Sequence, residues 1–105
     1  IERVANSHPL VINSALVEVN DKESLYKELK IWVKLKEEGT ISFSEFHSYL
    51  RENLAYFMVP RYIEFRKQLP KNANEFVQKF ILKEEWGNNG LRSNTYDTKL
   101  QKLLE

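Results

Sequence analysis

Between Leu29 and Leu54 the hydrophobic period of this chain switches from two residues to between three and four, and that switch limits the folds open to it. From Leu29 to Leu35 the apolar residues Leu29, Ile31, Val33 and Leu35 alternate with Lys30, Trp32 and Lys34. A period of two puts these sets on opposite faces of a strand, one against a core and one toward solvent. A charged loop follows, Lys36 to Thr40, closed by Gly39. Ser42-Phe43-Ser44-Glu45 then has capping-box spacing, and Phe43, Phe46, Leu50 and Leu54 recur at helical steps. A half-buried strand followed by a one-sided helix implies a sheet packed under helices.

The flanking segments extend that reading. Ile1 to Ser7 places Ile1, Val4 and Ala5 on one side of a short helix, which His8-Pro9 ends. Val11 to Val19 reads as a strand, and Asn20-Asp21-Lys22 as the turn after it. Val59-Pro60 interrupts the central helix, and Tyr62 to Phe65 forms a third strand. Leu69-Pro70 opens a polar loop, Lys71 to Asn74. From Glu75 onward a further helix is expected, with Phe76 and Phe80 as i, i+4 neighbours. Trp86-Gly87-Asn88-Asn89-Gly90 should break it, and Thr95 to Glu105 reads as a marginal last helix through Leu100, Leu103 and Leu104. The order helix, strand, strand, helix, strand, helix predicts a small α+β sandwich, a sheet of about three strands covered by helices. At 105 residues, without repeats or low-complexity tracts, residues 1–105 are expected to form a single domain.

Charge and composition exclude several functions. Sixteen basic residues nearly cancel fifteen acidic ones, so no global field marks a nucleic-acid binder. Basic and aromatic residues interleave from Tyr62 to Lys67, but strand alternation explains that pattern better than single-strand binding. With no cysteine, disulfides and thiolate metal sites are excluded, which fits a reducing cytoplasm. No apolar run is long enough to span a bilayer. His8 and His47 have no third ligand at metal spacing, and no serine–histidine arrangement suggests a nucleophile. The chain opens at Ile1 inside a helical pattern, so it reads as a piece of a longer protein.

The most specific signal is the run from Leu54 to Lys79, LAYFMVPRYIEFRKQLPKNANEFVQK. It resembles the closing segment of the AMP-forming acyl-CoA ligases, YxVPRxIEFxxxLPKTxxGK. Further matches lie in the correct order: Ile1-Glu2-Arg3-Val4 with Ser7-His8-Pro9, Val17 to Asp21, and Glu28 to Leu35. Phe57 to Tyr62, Val77-Gln78-Lys79 and Thr95-Tyr96-Asp97 look most like the crotonobetaine/carnitine-CoA ligase branch.

The resemblance implies a mobile C-terminal lid domain, hinged just before Ile1. Its partner would be the N-terminal adenylation domain of the same chain. The parent enzyme would use ATP with Mg, CoA and a small-molecule carboxylic acid, and this domain alone would bind none of them and be inactive.

In the family, the motif ends in a glycine and an adenylating lysine, whose positions here hold Glu75 and Phe76. A single cation is wanted there because carboxylate attack on the α-phosphate crowds negative charge onto oxygen atoms. Lys71, near the start of the loop, and Lys79, three residues past the gap, are candidate substitutes. Arg51 is a candidate contact for a CoA phosphate, against the plainer reading of a solvated helix charge. Arg61 is expected to play a structural role, tying loop carbonyls or an acidic partner such as Glu64. Trp86 should cap the sheet, or else lie on surface meant for the other domain. The alternatives are a non-catalytic acyl-adenylate/CoA-binding or regulatory homologue and an unrelated α+β interaction domain.

Overall fold

A computed structural model describes residues 1–20, 26–74, 76–88 and 94–104. Its elements run α1 (Glu2–Asn6), β1 (Val11–Asn20), β2 (Lys27–Leu35), α2 (Phe43–Asn53), a 3-10 turn (Tyr56–Met58), β3 (Tyr62–Arg66), α3 (Lys79–Asn88), β4 (Thr95–Asp97) and β5 (Lys102–Leu103). The strands lie in sequence order in one sheet. β2 and β3 are parallel, and the other neighbouring pairs are antiparallel. A parallel step needs a crossover, and α2 supplies it.

The α+β class is as the pattern predicts, but among the described residues the sheet has five strands, not about three. The difference lies at the C-terminus, where Thr95 to Glu105 was expected to be helical. Thr95–Asp97 instead pairs with β3, in the register Tyr62↔Asp97 and Glu64↔Thr95. Thr95 and Asp97 are buried, and Gln101 takes a φ of 53°, which turns the chain back to lay β5 against β4. A helix admits no such residue in its interior. Leu100 and Leu103, expected on an apolar stripe, are exposed.

Packing on the two faces of the sheet explains a second departure. β2 was expected to be half-buried, yet Lys30 and Trp32 are buried as fully as Ile31 and Val33. One face packs under α1 and α2, with Ala5, Val11, Ile31, Val33, Leu35, Ile41, Phe46, Leu50 and Ile63 in its core. The other packs under α3, with Ala15, Val17, Val19, Trp32, Tyr62, Leu69, Leu82 and Trp86. A strand buried on both faces loses its solvent side, so alternation alone misreads it.

α2 starts where its cap predicts. Ser42 Oγ accepts from the Glu45 amide at 3.1 Å, and a Glu45 carboxylate oxygen accepts from the Ser42 amide at 3.2 Å. The preceding turn uses Gly39 at a φ of 75°, where a side chain would be strained. His8-Pro9 ends α1, and the His8 Nδ1 atom accepts the Leu10 amide at 3.0 Å.

α3 begins at Lys79, not near Glu75, and runs through Trp86 and Gly87 without breaking. Trp86 holds it in place: the ring is buried, and its Nε1–H donates to the Asn20 carbonyl at 2.7 Å. Asn20 itself closes β1. The rest of the predicted Asn20-Asp21-Lys22 turn lies outside the described residues, as do Glu75, Asn89, Gly90 and Glu105.

Candidate functional site

The segment joining β3 to α3 is a closed loop. The Gln78 amide donates to the Pro70 carbonyl at 2.8 Å, and the Asn72 amide to the Phe76 carbonyl at 3.0 Å. Lys71 and Val77 face each other as an isolated antiparallel bridge. Asn72 then braces the tip from inside, its Oδ1 accepting the amides of Asn74 at 2.9 Å and Phe76 at 3.1 Å. Asparagine suits this position because its side chain satisfies amides that a tight turn leaves without a carbonyl.

These bonds engage Pro70, Asn72, Asn74, Phe76 and Gln78 in the loop, and α3 begins only at Lys79. Phe76 and Phe80 are therefore not i, i+4 partners on one helix, contrary to the sequence expectation. Phe76 is 69% exposed and Phe80 60% exposed. An exposed Phe76 ring forgoes the stabilisation of about 1.5 to 3 kcal/mol that burying it would bring.

Neither candidate lysine stands beside Phe76 as an unengaged cation. Lys71 contributes its backbone to the loop closure and has interactions of its own. Lys79 Nζ lies 3.0 Å from Glu2 Oε2, the same oxygen that accepts the Leu16 amide at 2.8 Å. That pair ties the start of α3 to α1 across the outer strand β1.

A second concavity, of about 310 Å3, lies between α2, the 3-10 turn and the β4–β5 turn. His47 and Arg51 come from α2, Tyr56 and Phe57 from the 3-10 turn, and Arg61, Glu28 and Lys99 from its floor and rim. Tyr56 and Phe57 are exposed and meet edge to face at 5.7 Å. Arg51 Nη2 donates to Ser48 Oγ at 3.3 Å and has no acidic partner among the described residues.

Arg61 is engaged from two sides. Its Nε and Nη2 reach Asp97 Oδ1 and Oδ2 at 3.3 and 3.1 Å, and Nη1 reaches Glu28 Oε1 at 3.3 Å. Asp97 and Glu28 thus supply acidic partners of the kind expected for Arg61, where Glu64 had stood as the example. Burial, and secondarily the Arg51 charge, pulls the His47 imidazole below its usual pKa. Both effects disfavour the charged imidazole, so the positive charge that α2 brings to the concavity is chiefly that of Arg51.

Glu64 is committed elsewhere, to a buried node that sequence reasoning did not find. Lys30 Nζ lies 2.8 Å from Glu64 Oε1 and 2.9 Å from Thr95 Oγ1. It also sits 4.4 Å and 4.6 Å from the ring centroids of Trp32 and Trp86. The sequence did offer a signal, since Lys30 and Trp32 share one face of β2. A wider cleft of about 720 Å3 opens beside this node, but its chief charges pair internally, Arg66 with Glu85 at 2.8 Å and Lys30 with Glu64. Trp86, one of its walls, is core and not surface left for another domain. Among the described residues no cluster of three or more His, Asp or Glu could hold a metal, and no helix is long and apolar enough to cross a membrane.

Comparison with known proteins places this geometry. The profile of the AMP-binding enzyme C-terminal domain matches residues 1–75. A crotonobetaine/carnitine–CoA ligase of Escherichia coli is 37% identical over 75 residues, 70% of this chain and 14% of the relative. ATP-bound MatB from Rhodopseudomonas palustris superposes with a TM-score of 0.74 at 26% identity, over 83% of this chain and 17% of its own. A benzoate CoA ligase from Burkholderia xenovorans LB400 gives 0.70 at 31%, over 79% of this chain and 17% of its own. The chain thus spans about 14% of the length of the curated relative. The profile match stops just before Phe76, so α3, β4 and β5 lie beyond it.

Proposed function

Because the chain belongs to the AMP-binding enzyme C-terminal domain family, we propose that residues 1–105 are the lid of an ATP-dependent, AMP-forming acyl-CoA ligase. In this reading the lid pairs with an N-terminal adenylation domain of the same chain, in the cytoplasm. The carboxylate of an acid attacks the α-phosphorus of ATP, which gives an acyl-adenylate and releases pyrophosphate. The CoA thiol then attacks the acyl carbonyl, and AMP leaves. A closing lid keeps water from the mixed anhydride and completes the site in each step. The resemblance to the crotonobetaine/carnitine-CoA ligase supports a carnitine-like acid as substrate, with Mg accompanying ATP in the other domain.

Phe76 carries the reading. The closed Pro70–Gln78 loop presents it to solvent, which supports reading it as the counterpart of the lysine that ends the family motif. A phenyl ring supplies neither charge nor hydrogen bond to the oxygens that gather charge during adenylation, so the first half-reaction is the one impaired. Lys79 is a poor replacement while it is bonded to Glu2. Arg51, beside the exposed Tyr56 and Phe57, has the charge and fork geometry to meet a CoA phosphate, so the second half-reaction keeps its equipment. The same loss of charge favours a second reading, a non-catalytic homologue that binds acyl-adenylate or CoA.

Acid-dependent pyrophosphate exchange by the full-length enzyme separates the two. Phe76→Lys should raise exchange by about two orders of magnitude, the usual weight of one well-placed transition-state contact. If wild type exchanges at ordinary rates and the substitution changes nothing, the impairment is not at Phe76. If neither form turns over while both bind CoA, the homologue reading stands.

A further inference from the structure

Asp97 lies beyond the residues that the family profile covers, and it is 1% exposed, with its carboxylate fully engaged. Besides its two bonds to Arg61, Oδ1 accepts the amides of Lys99 at 2.9 Å and Leu100 at 3.2 Å. One carboxylate therefore fixes the Arg61 guanidinium and also shapes the β4–β5 turn. Thr98 fastens that turn from the other side, its amide and Oγ1 donating to the Arg61 carbonyl at 2.8 and 2.9 Å. Glu28 completes the frame by bridging Arg61 at 3.3 Å and Lys99 at 3.2 Å. Arg61, Thr98, Lys99 and Glu28 all line the concavity that holds Arg51.

We propose that Asp97 is a positioning residue for that concavity, setting the floor on which the phosphate-bearing end of CoA is received opposite Arg51. This rests on the lid reading above and adds a segment outside the family match to the CoA site. The charge balance supports it. Asp97 and Glu28 offset Arg61 and Lys99, so Arg51 remains the cation without an acidic partner among the described residues. The arrangement suits one phosphate group held in a fixed orientation better than an extended polyanion.

Asp97→Asn keeps the shape and the turn-amide acceptor but removes the charge that aligns Arg61. Two effects then oppose each other: the cavity becomes more positive, and its floor loses alignment. The cavity is open to solvent, where added charge is screened, so the loss of alignment dominates.

The expected result in the full-length enzyme is a rise in KM for CoA of about tenfold, the worth of one charge-assisted hydrogen bond, with kcat at saturating CoA little changed. Thr98→Val, which removes only the hydroxyl donor, should raise the same KM by a smaller factor and serves if Asp97→Asn does not fold. Arg51→Ala is the control for the underlying reading. If Arg51→Ala raises KM but Asp97→Asn and Thr98→Val lower only the melting temperature, Asp97 is structural and the proposal is overturned. If Arg51→Ala leaves KM unchanged, the assignment of the cavity to CoA fails first.

Discussion

The Phe76 loop and the α2 concavity are built to opposite specifications. The loop is rigidly closed by backbone bonds and ends in an exposed apolar ring. The concavity has exposed aromatic side chains and an arginine without an acidic partner among the described residues. Their supports differ as well. The loop leads into α3, whose Leu82 and Trp86 rest on Trp32, Tyr62 and the buried Lys30. The concavity is carried by α2, whose Phe46 and Leu50 rest on aliphatic side chains such as Ile31, Val33 and Ile63. Separate elements on separate faces of the sheet hold the two regions, so under the proposed function one contact can be lost and the other kept.

The sharpest way to break the comparison is to substitute within the two supports. Lys30→Met should destabilise the fold by about 3 to 5 kcal/mol, because Glu64 and Thr95 lose their buried partner. Leu50→Met, under α2, should cost less than about 1.5 kcal/mol, since volume and polarity barely change. Urea unfolding of both variants checks this. Equal losses would mean that the two faces are energetically alike.

A pH series isolates the charged support further. Burial pulls the Lys30 ammonium below its ordinary value of 10.5, and Glu64 opposes the shift. A base with a lowered folded pKa holds fewer protons folded than unfolded in the window between the two values. Stability from this group is therefore gained as pH rises through that window, complete above the unfolded value and lost as pH falls through the folded one. The difference in unfolding free energy between wild type and Lys30→Met should grow across the alkaline range, while tyrosine ionisation, common to both, cancels. A flat difference would show that Lys30 titrates normally.

The smallest expected effect is at the α2 cap. Ser42→Ala removes the acceptor for the Glu45 amide and should cost about 1 kcal/mol in thermal or urea unfolding. A loss near that of Lys30→Met would mean that the cap, not the core beneath, sets the position of α2.

The sequence made the α2 support readable and the α3 support hard to read, for physical reasons. Ser42 and Glu45 act on their own backbone, and Phe46 and Leu50 follow a helical period, so local information suffices. Lys30 reads as a solvent-side residue because its burial depends on Glu64, Trp86 and Thr95, which are distant in the chain. Asp97 sits in a segment whose leucines mimic a helix, while its partner, Arg61, is 36 residues away. The site residues divide in the same way. Phe76 could be located because the motif around it is contiguous. Its exposure followed only from the loop closure by Asn72 and Gln78, which displaced the start of α3.

The most direct test compares the two half-reactions in the unmodified full-length enzyme. Supplied with synthetic acyl-adenylate and CoA, it should form the thioester at a rate well above its rate from acid, ATP and CoA, because the proposal places the defect at Phe76 and in adenylation alone. Equal rates from both starting points would contradict the account, since Phe76 would then leave adenylation intact.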